Sequence, residues 1–217
     1  MSVSAQAPPA PAGPPARFVV LLDAAHGGDD PGGRINGEAG QHQDEKTVTL
    51  ALSVRLRSLL AARGIQVVTT RESDSTVALD RRAELANHAR AQACLSLHAT
   101  ESGSGVHLFV SSLAPALPGR MAPWKTAQDA WVTRSLDLAG VLNSALLHAQ
   151  IAVTLARANL PAVDSMTCPA VAVELAPESA HPADSDQGAP DDPAYQARVA
   201  EALAAALLEW RAEARQP

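Results

Sequence analysis

Two short runs of apolar residues constrain this chain more than anything else in it. Phe18-Val-Val-Leu-Leu22 and Ala170-Val-Ala-Val-Glu-Leu175 are nearly continuous, without the alternation of a strand that shows one face to water. Strands of this kind are buried on both faces and need helices on either side of their sheet. The intervening sequence supplies helices. Across residues 44–63, Val48, Leu50, Leu52, Val54 and Leu56 alternate like a strand, while Val48, Leu52, Leu56, Leu59 and Leu60 fit a helical stripe equally well. The length of this stretch free of Gly and Pro, its acidic start, its late arginines and Gly64 as a stop decide for helix. Leu79–Arg90 is a second helix, with Leu79, Ala83 and Ala86 on one face, and a third runs through Trp131, Leu138, Leu142, Ala145 and Ala149. A last helix starts at Asp192-Pro193, a capping acid before proline at the first helical position, and carries Tyr195, Val199, Leu203, Leu207 and Trp210 on its apolar stripe. Ile65–Thr70, Cys94–His98 and Val106–Val110 read as strands, and 111–125 and 176–192 as irregular. The pattern predicts an α/β fold: a single domain with a mostly parallel twisted sheet flanked by helices on both faces.

Composition narrows the function. With 217 residues, 47% of them hydrophobic, the chain can bury one sizeable core but not two ordinary domains with linkers. The first sixteen residues, MSVSAQAPPAPAGPPA, have neither the basic leader nor the apolar centre of a signal peptide, so residues 1–16 are expected to be a disordered Pro/Ala-rich leader or linker and 17–217 the folded domain. Seventeen basic against twenty-three acidic side chains argue against a basic nucleic-acid face. Aromatics at 3% argue against stacking platforms for single strands. No apolar run approaches the roughly 18 residues of a membrane span. Cys94 and Cys168 are too few for a disulfide scaffold or a cysteine-only zinc site. Each begins a strand that ends in a candidate site residue, so a disulfide is possible if those strands are neighbours, but two buried free thiols is the simpler expectation.

Chemistry in such sheets collects at the carboxyl ends of strands. That rule selects His26 in the loop Asp23-Ala-Ala-His26-Gly-Gly-Asp-Asp-Pro-Gly-Gly33, His98 at the end of Ser-Leu-His, and Glu174 at the end of Ala-Val-Ala-Val-Glu. Glu45 opens the first long helix, where a carboxylate is favoured by the helix dipole and can face back toward the loop. Two histidines and one carboxylate from separate elements match the ligands of an open catalytic zinc site. A further glutamate nearby suits proton transfer in metal-assisted hydrolysis. Glu174, an acid ending an apolar strand, is costly to bury without a partner. By spacing alone, His26 and His98 could equally be ordinary core or surface histidines, and Glu45 a plain helix-start acid.

Taken together, Asp23-Ala-Ala-His26-Gly-Gly, Glu45-Lys46, Thr70-Arg71, Leu79-x-x-Arg82-x-x-x-Ala86-Asn87, Ser96-Leu97-His98-Ala99, Pro169-Ala-Val-Ala-Val-Glu174-Leu and Asp192-Pro-Ala-Tyr195 resemble, in order, the zinc-dependent N-acetylmuramoyl-L-alanine amidases of the amidase-3 type. The likeness runs from about residue 18 to residue 208. It implies cleavage of the amide between N-acetylmuramic acid and L-alanine in peptidoglycan, with Zn2+ held by His26, Glu45 and His98 and with Glu174 as the catalytic carboxylate. It also implies a periplasmic or extracellular location, although no export signal is present in this chain. The sequence departs from the family's usual pattern at Ala24-Ala25, at Thr100 and at Ala-Pro-Glu-Ser (176–179), the last two at positions that bear on substrate contacts. Two rivals stand beside this reading: a zinc peptidase or amidase acting on another amide, and a domain that binds peptidoglycan without cleaving it. Intact His26, Glu45, His98 and Glu174 argue against the second.

Other residues receive plainer expectations. His42, His88, His107, His148 and His181 read as structural or solvent-exposed, and Arg71 and Arg82 as salt-bridge or helix-contact residues. Trp124 and Trp131 are expected to anchor the irregular segment to the core. In Ser111–Arg134, Pro115, Pro118 and Pro123 break the first half and there is no glutamate, so a helical plug over the metal is not expected. The segment is expected to edge the substrate groove, and no activator protein is expected to be needed.

Overall fold

The computed structural model describes residues 17–36, 42–117, 123–178 and 188–214. The leader 1–16, His181 and Pro118 lie outside the described residues. Within them the chain runs β1 (Val19–Ala24), β2 (Arg34–Asn36), β3 (His42–Asp44), α1 (Glu45–Ala62), β4 (Gln66–Thr69), α2 (Leu79–Ala89), β5 (Ala93–Ala99), β6 (Val106–Ser111), a 3-10 turn (Trp124–Ala130), α3 (Val132–His148), β7 (Val153–Ala158), α4 (Pro161–Asp164), β8 (Ala170–Leu175) and α5 (Pro193–Glu213). Six strands form one sheet in the order β4-β1-β5-β8-β6-β7, while β2 and β3 pair by themselves. All junctions of the large sheet are parallel except β8 with β6. No helix of the described residues is long and apolar enough to cross a membrane.

Alternate residues of each central strand point to opposite faces. Val20, Leu22, Leu95, Leu97, Val171 and Val173 pack on one face against Leu52 and Leu56 of α1, Leu138 and Leu142 of α3, and Leu203 and Leu207 of α5. Val19, Leu21, Cys94 and Ala170 point the other way, toward Ala83 and Ala86 of α2 and Val163 of α4. This second layer is thinner. Toward the carboxyl ends of β5 and β8 its place is taken by polar side chains, because Ser96, His98 and Glu174 have the same parity as Cys94 and Ala170. Asp192 caps α5 by accepting from the Ala194 amide at 2.8 Å, as its position before proline predicts.

The structure corrects three expectations. Cys94 and Cys168 form a disulfide and are not free thiols. Cys94 is paired in register with Ala170, two residues beyond Cys168, so strand adjacency brings the sulfurs together. Trp124 does not anchor its segment: it is 57% exposed, with Lys125 over its ring. The anchor is Gln128, fully buried, which donates to the carbonyls of Met166 and Cys168 at 2.8 and 2.7 Å and accepts from Ser135. That attachment precedes β8, six residues or about 20 Å along the strand from Glu174. The described part of the segment therefore hangs from the end of the sheet opposite Glu174 and does not edge a groove there.

Candidate active site

His26 sits two residues beyond β1, in a loop that the interior of the protein grips by its backbone. Arg71 donates to the carbonyls of Ala24 at 2.9 Å and Ala25 at 3.0 Å, and Arg82 to those of Ala24 and His26, both at 2.8 Å. Both guanidiniums are buried. Arg82 is compensated by Asp23 at 2.5 Å, whose carboxylate also accepts from Thr70 and Ser96. Burial, and after it the neighbouring Arg82 charge, pushes the Arg71 guanidinium below its ordinary value. The arginines thus have the structural role expected of them, and what they hold is the loop that carries His26. His26 itself adopts φ +61°, a left-handed conformation uncommon for a residue with a side chain and one that marks functional sites.

Glu45 is the first residue of α1 and is 6% exposed. One carboxylate oxygen, Oε2, accepts from the Gly33 amide at 2.8 Å and lies 3.1 Å from His26 Nε2. The other, Oε1, lies 3.0 Å from His98 Nδ1 and accepts from the Ala99 amide at 3.2 Å. Burial works to raise the Glu45 carboxyl. The hydrogen bonds from His98 and Gly33, with the two imidazoles, outweigh it and hold the group below the usual carboxylate value. Only glycine fits at position 32, where φ is +70° and a Cβ would meet His26 Cδ2 at 2.6 Å and Glu45 Oε2 at 2.8 Å.

The ligand atoms of His26, Glu45 and His98 all fall within 4.8 Å of one another. Donors 2.0–2.1 Å from a tetrahedral zinc stand roughly 3.3 Å apart, close to the His26–Glu45 and Glu45–His98 separations. Two imidazoles and an ionised carboxylate, converging and partly open to solvent, fit a divalent metal with a position left for water. Asp30, which sequence reasoning did not single out, accepts from His26 Nδ1 at 2.8 Å and so turns Nε2 inward. That hydrogen bond holds the Asp30 carboxyl below its ordinary value.

Glu174 is paired in register with His98 across β5 and β8, so its side chain stands beside the cluster on the same face of the sheet. His107, expected to be structural or exposed, places Nδ1 2.9 Å from Glu174 Oε2. The remaining described histidines stay away from the cluster: His88 and His148 turn back on their own helices, and His42 lies in the small β2–β3 pair.

A model of the family Amidase_3, N-acetylmuramoyl-L-alanine amidase, matches residues 20–209. The sporulation-specific N-acetylmuramoyl-L-alanine amidase of Bacillus subtilis is 32% identical over 122 residues, which cover 55% of this chain and 45% of that protein. The match therefore spans less than half the length of that relative. Among solved structures, an N-acetylmuramoyl-L-alanine amidase from Clostridium difficile 630 superposes with a TM-score of 0.69 at 22% identity, over 92% of this chain and 99% of the other. The CwlD amidase of Clostridioides difficile, solved in complex with the GerS lipoprotein, gives 0.67 at 18% identity, over 91% and 100%. At these identities the two structures speak for the fold. The family match runs from β1 into α5, across every element that brings His26, Glu45, His98 and Glu174 to one end of the sheet, and this chain belongs to the N-acetylmuramoyl-L-alanine amidases of the Amidase_3 family.

Proposed function

We propose that residues 17–217 form a zinc hydrolase that cleaves the amide bond between N-acetylmuramic acid and the L-alanine of peptidoglycan stem peptides. The observation that carries this reading is the convergence of His26 Nε2, the Glu45 carboxylate and His98 Nδ1, with Glu174 in register beside His98. His26, Glu45 and His98 would hold a zinc ion, which would supply Lewis acidity toward a carbonyl and lower the pKa of water from about 15.7 toward about 7. Glu174 takes the proton of the attacking water on a carboxylate oxygen and passes it to the departing alanine nitrogen, which must be protonated to leave. Asp30 keeps the His26 ring in its ligand orientation, and the Gly33 and Ala99 amides keep both Glu45 oxygens in place.

The site works on a cell-wall polymer, so the protein acts outside the cytoplasm, in the periplasm or beyond the cell. The Cys94–Cys168 disulfide supports that assignment, since such bonds persist in oxidising compartments. No activator is required: the anchored part of the segment that could carry a plug is attached at the far end of β8.

The test is metal analysis with a digest of purified peptidoglycan. Wild type is expected to bind one zinc per chain and to release peptides that begin with L-alanine. His98→Ala should lose both zinc and activity, while Glu174→Gln should keep zinc and slow turnover by about 10²–10⁴. Equal zinc in wild type and His98→Ala, or binding of peptidoglycan without release of peptide, overturns the reading.

A further inference from the structure

The one antiparallel junction of the sheet brings a second imidazole to Glu174. Because β6 runs against β8, residues near the start of β6 arrive at the sheet end where β5 and β8 finish. His98, Glu174 and His107 are consecutive register partners across β5, β8 and β6, so they stand in one row on one face. His107 Nδ1 lies 2.9 Å from Glu174 Oε2, and the two side chains are 15% and 29% exposed. Facing a carboxylate, Nδ1 carries its hydrogen and donates. Glu174 Oε1 has no protein partner among the described residues. The ring is also held from outside: a Cβ on Gly103, where φ is +83°, would lie 2.5 Å from His107 Cε1 and 2.6 Å from Nε2. Gly103 therefore closes over the imidazole and leaves it little freedom to swing away.

We infer that His107 is a positioning residue for Glu174, holding Oε2 by its Nδ1–H so that Oε1 is the oxygen presented for proton transfer. The inference rests on the reading of Glu174 as the proton-moving carboxylate. The bond stays useful in both states of the reaction. It orients the carboxylate before Oε1 accepts the water proton, and it keeps the carboxylic acid from rotating before that proton passes to the leaving nitrogen.

The test uses the zinc-loaded protein and a soluble muropeptide, with zinc content and thermal midpoint recorded for every variant. His107→Leu removes the donor at similar volume. It should lower kcat by about 10- to 100-fold, the usual loss when a partner that orients a site group is removed, with KM within about twofold. His107→Asn restores an N–H near the place of Nδ1 and should recover most of that loss. In a Glu174→Gln background, His107→Leu should cost nothing more. Should Leu impair folding, His107→Ala takes its place with the same expectations. A wild-type kcat in the Leu or Ala variant, no recovery with Asn, or an undiminished further loss in the Glu174→Gln background overturns the positioning role while leaving Glu174 catalytic. Wild-type turnover in Glu174→Gln overturns the reading of Glu174 itself.

Discussion

Single side chains around the His26 loop separate two kinds of support. Asp30 acts on one ring: its carboxylate fixes which nitrogen of His26 faces Glu45. Asp30→Ala should leave the fold intact and weaken zinc binding about 10- to 100-fold, measured by competition with a chromogenic chelator. Arg82 acts on the interior. It is 4% exposed and its partner Asp23 is 1% exposed, so removing the guanidinium strands a buried carboxylate. Arg82→Met should cost about 3–5 kcal/mol in urea unfolding. A loss under 1 kcal/mol would mean that Thr70 and Ser96 suffice to hold Asp23. That His26, Glu45, His98 and Glu174 meet at one end of the sheet is legible in the sequence because strand ends and helix starts are themselves legible. Asp30 and His107 are not, since their roles depend on which atoms a folded loop and a neighbouring strand turn toward them.

Among the elements, those with strong periodicity or caps are found where the sequence puts them. α1, α3 and α5 follow their apolar stripes, and β1 and β8 their apolar runs. β7 went unrecognised: it is an edge strand whose residues, Thr154, Leu155 and Arg157 among them, are half-buried or exposed, so it lacks a buried strand's signature. β2 and β3, three residues each, are too short to carry a pattern. The disulfide was hidden for another reason. Cys94 and Cys168 are 74 residues apart, and their meeting depends on β8 lying next to β5, which chain order does not reveal. Closing so long a loop should contribute about 2–4 kcal/mol. The Cys94→Ala/Cys168→Ala protein should unfold that much more easily while keeping wild-type zinc and kcat. A loss of zinc at unchanged fold would mean that the bridge also tensions β5 and β8 at their carboxyl ends.

Over the whole molecule, the sheet has a working end and a plain one. Replacing residues 114–122 with a Gly/Ser linker should change turnover on purified peptidoglycan by less than about twofold. A large gain would reveal an inhibitory lid there. At the working end the connection between β5 and β6 has no such latitude. Thr100 and Gly105 donate to Leu175 and Pro177, so the link straddles the end of β8. It must span two strand spacings, about 9.6 Å. On one side it carries His98 and on the other His107, with Glu174 between them, like the jaws of a caliper. Its length is thereby a calibrated dimension. One residue more or fewer would change the spacing of His98 and His107 about Glu174, while the 114–122 link at the other end could lengthen or shorten unnoticed.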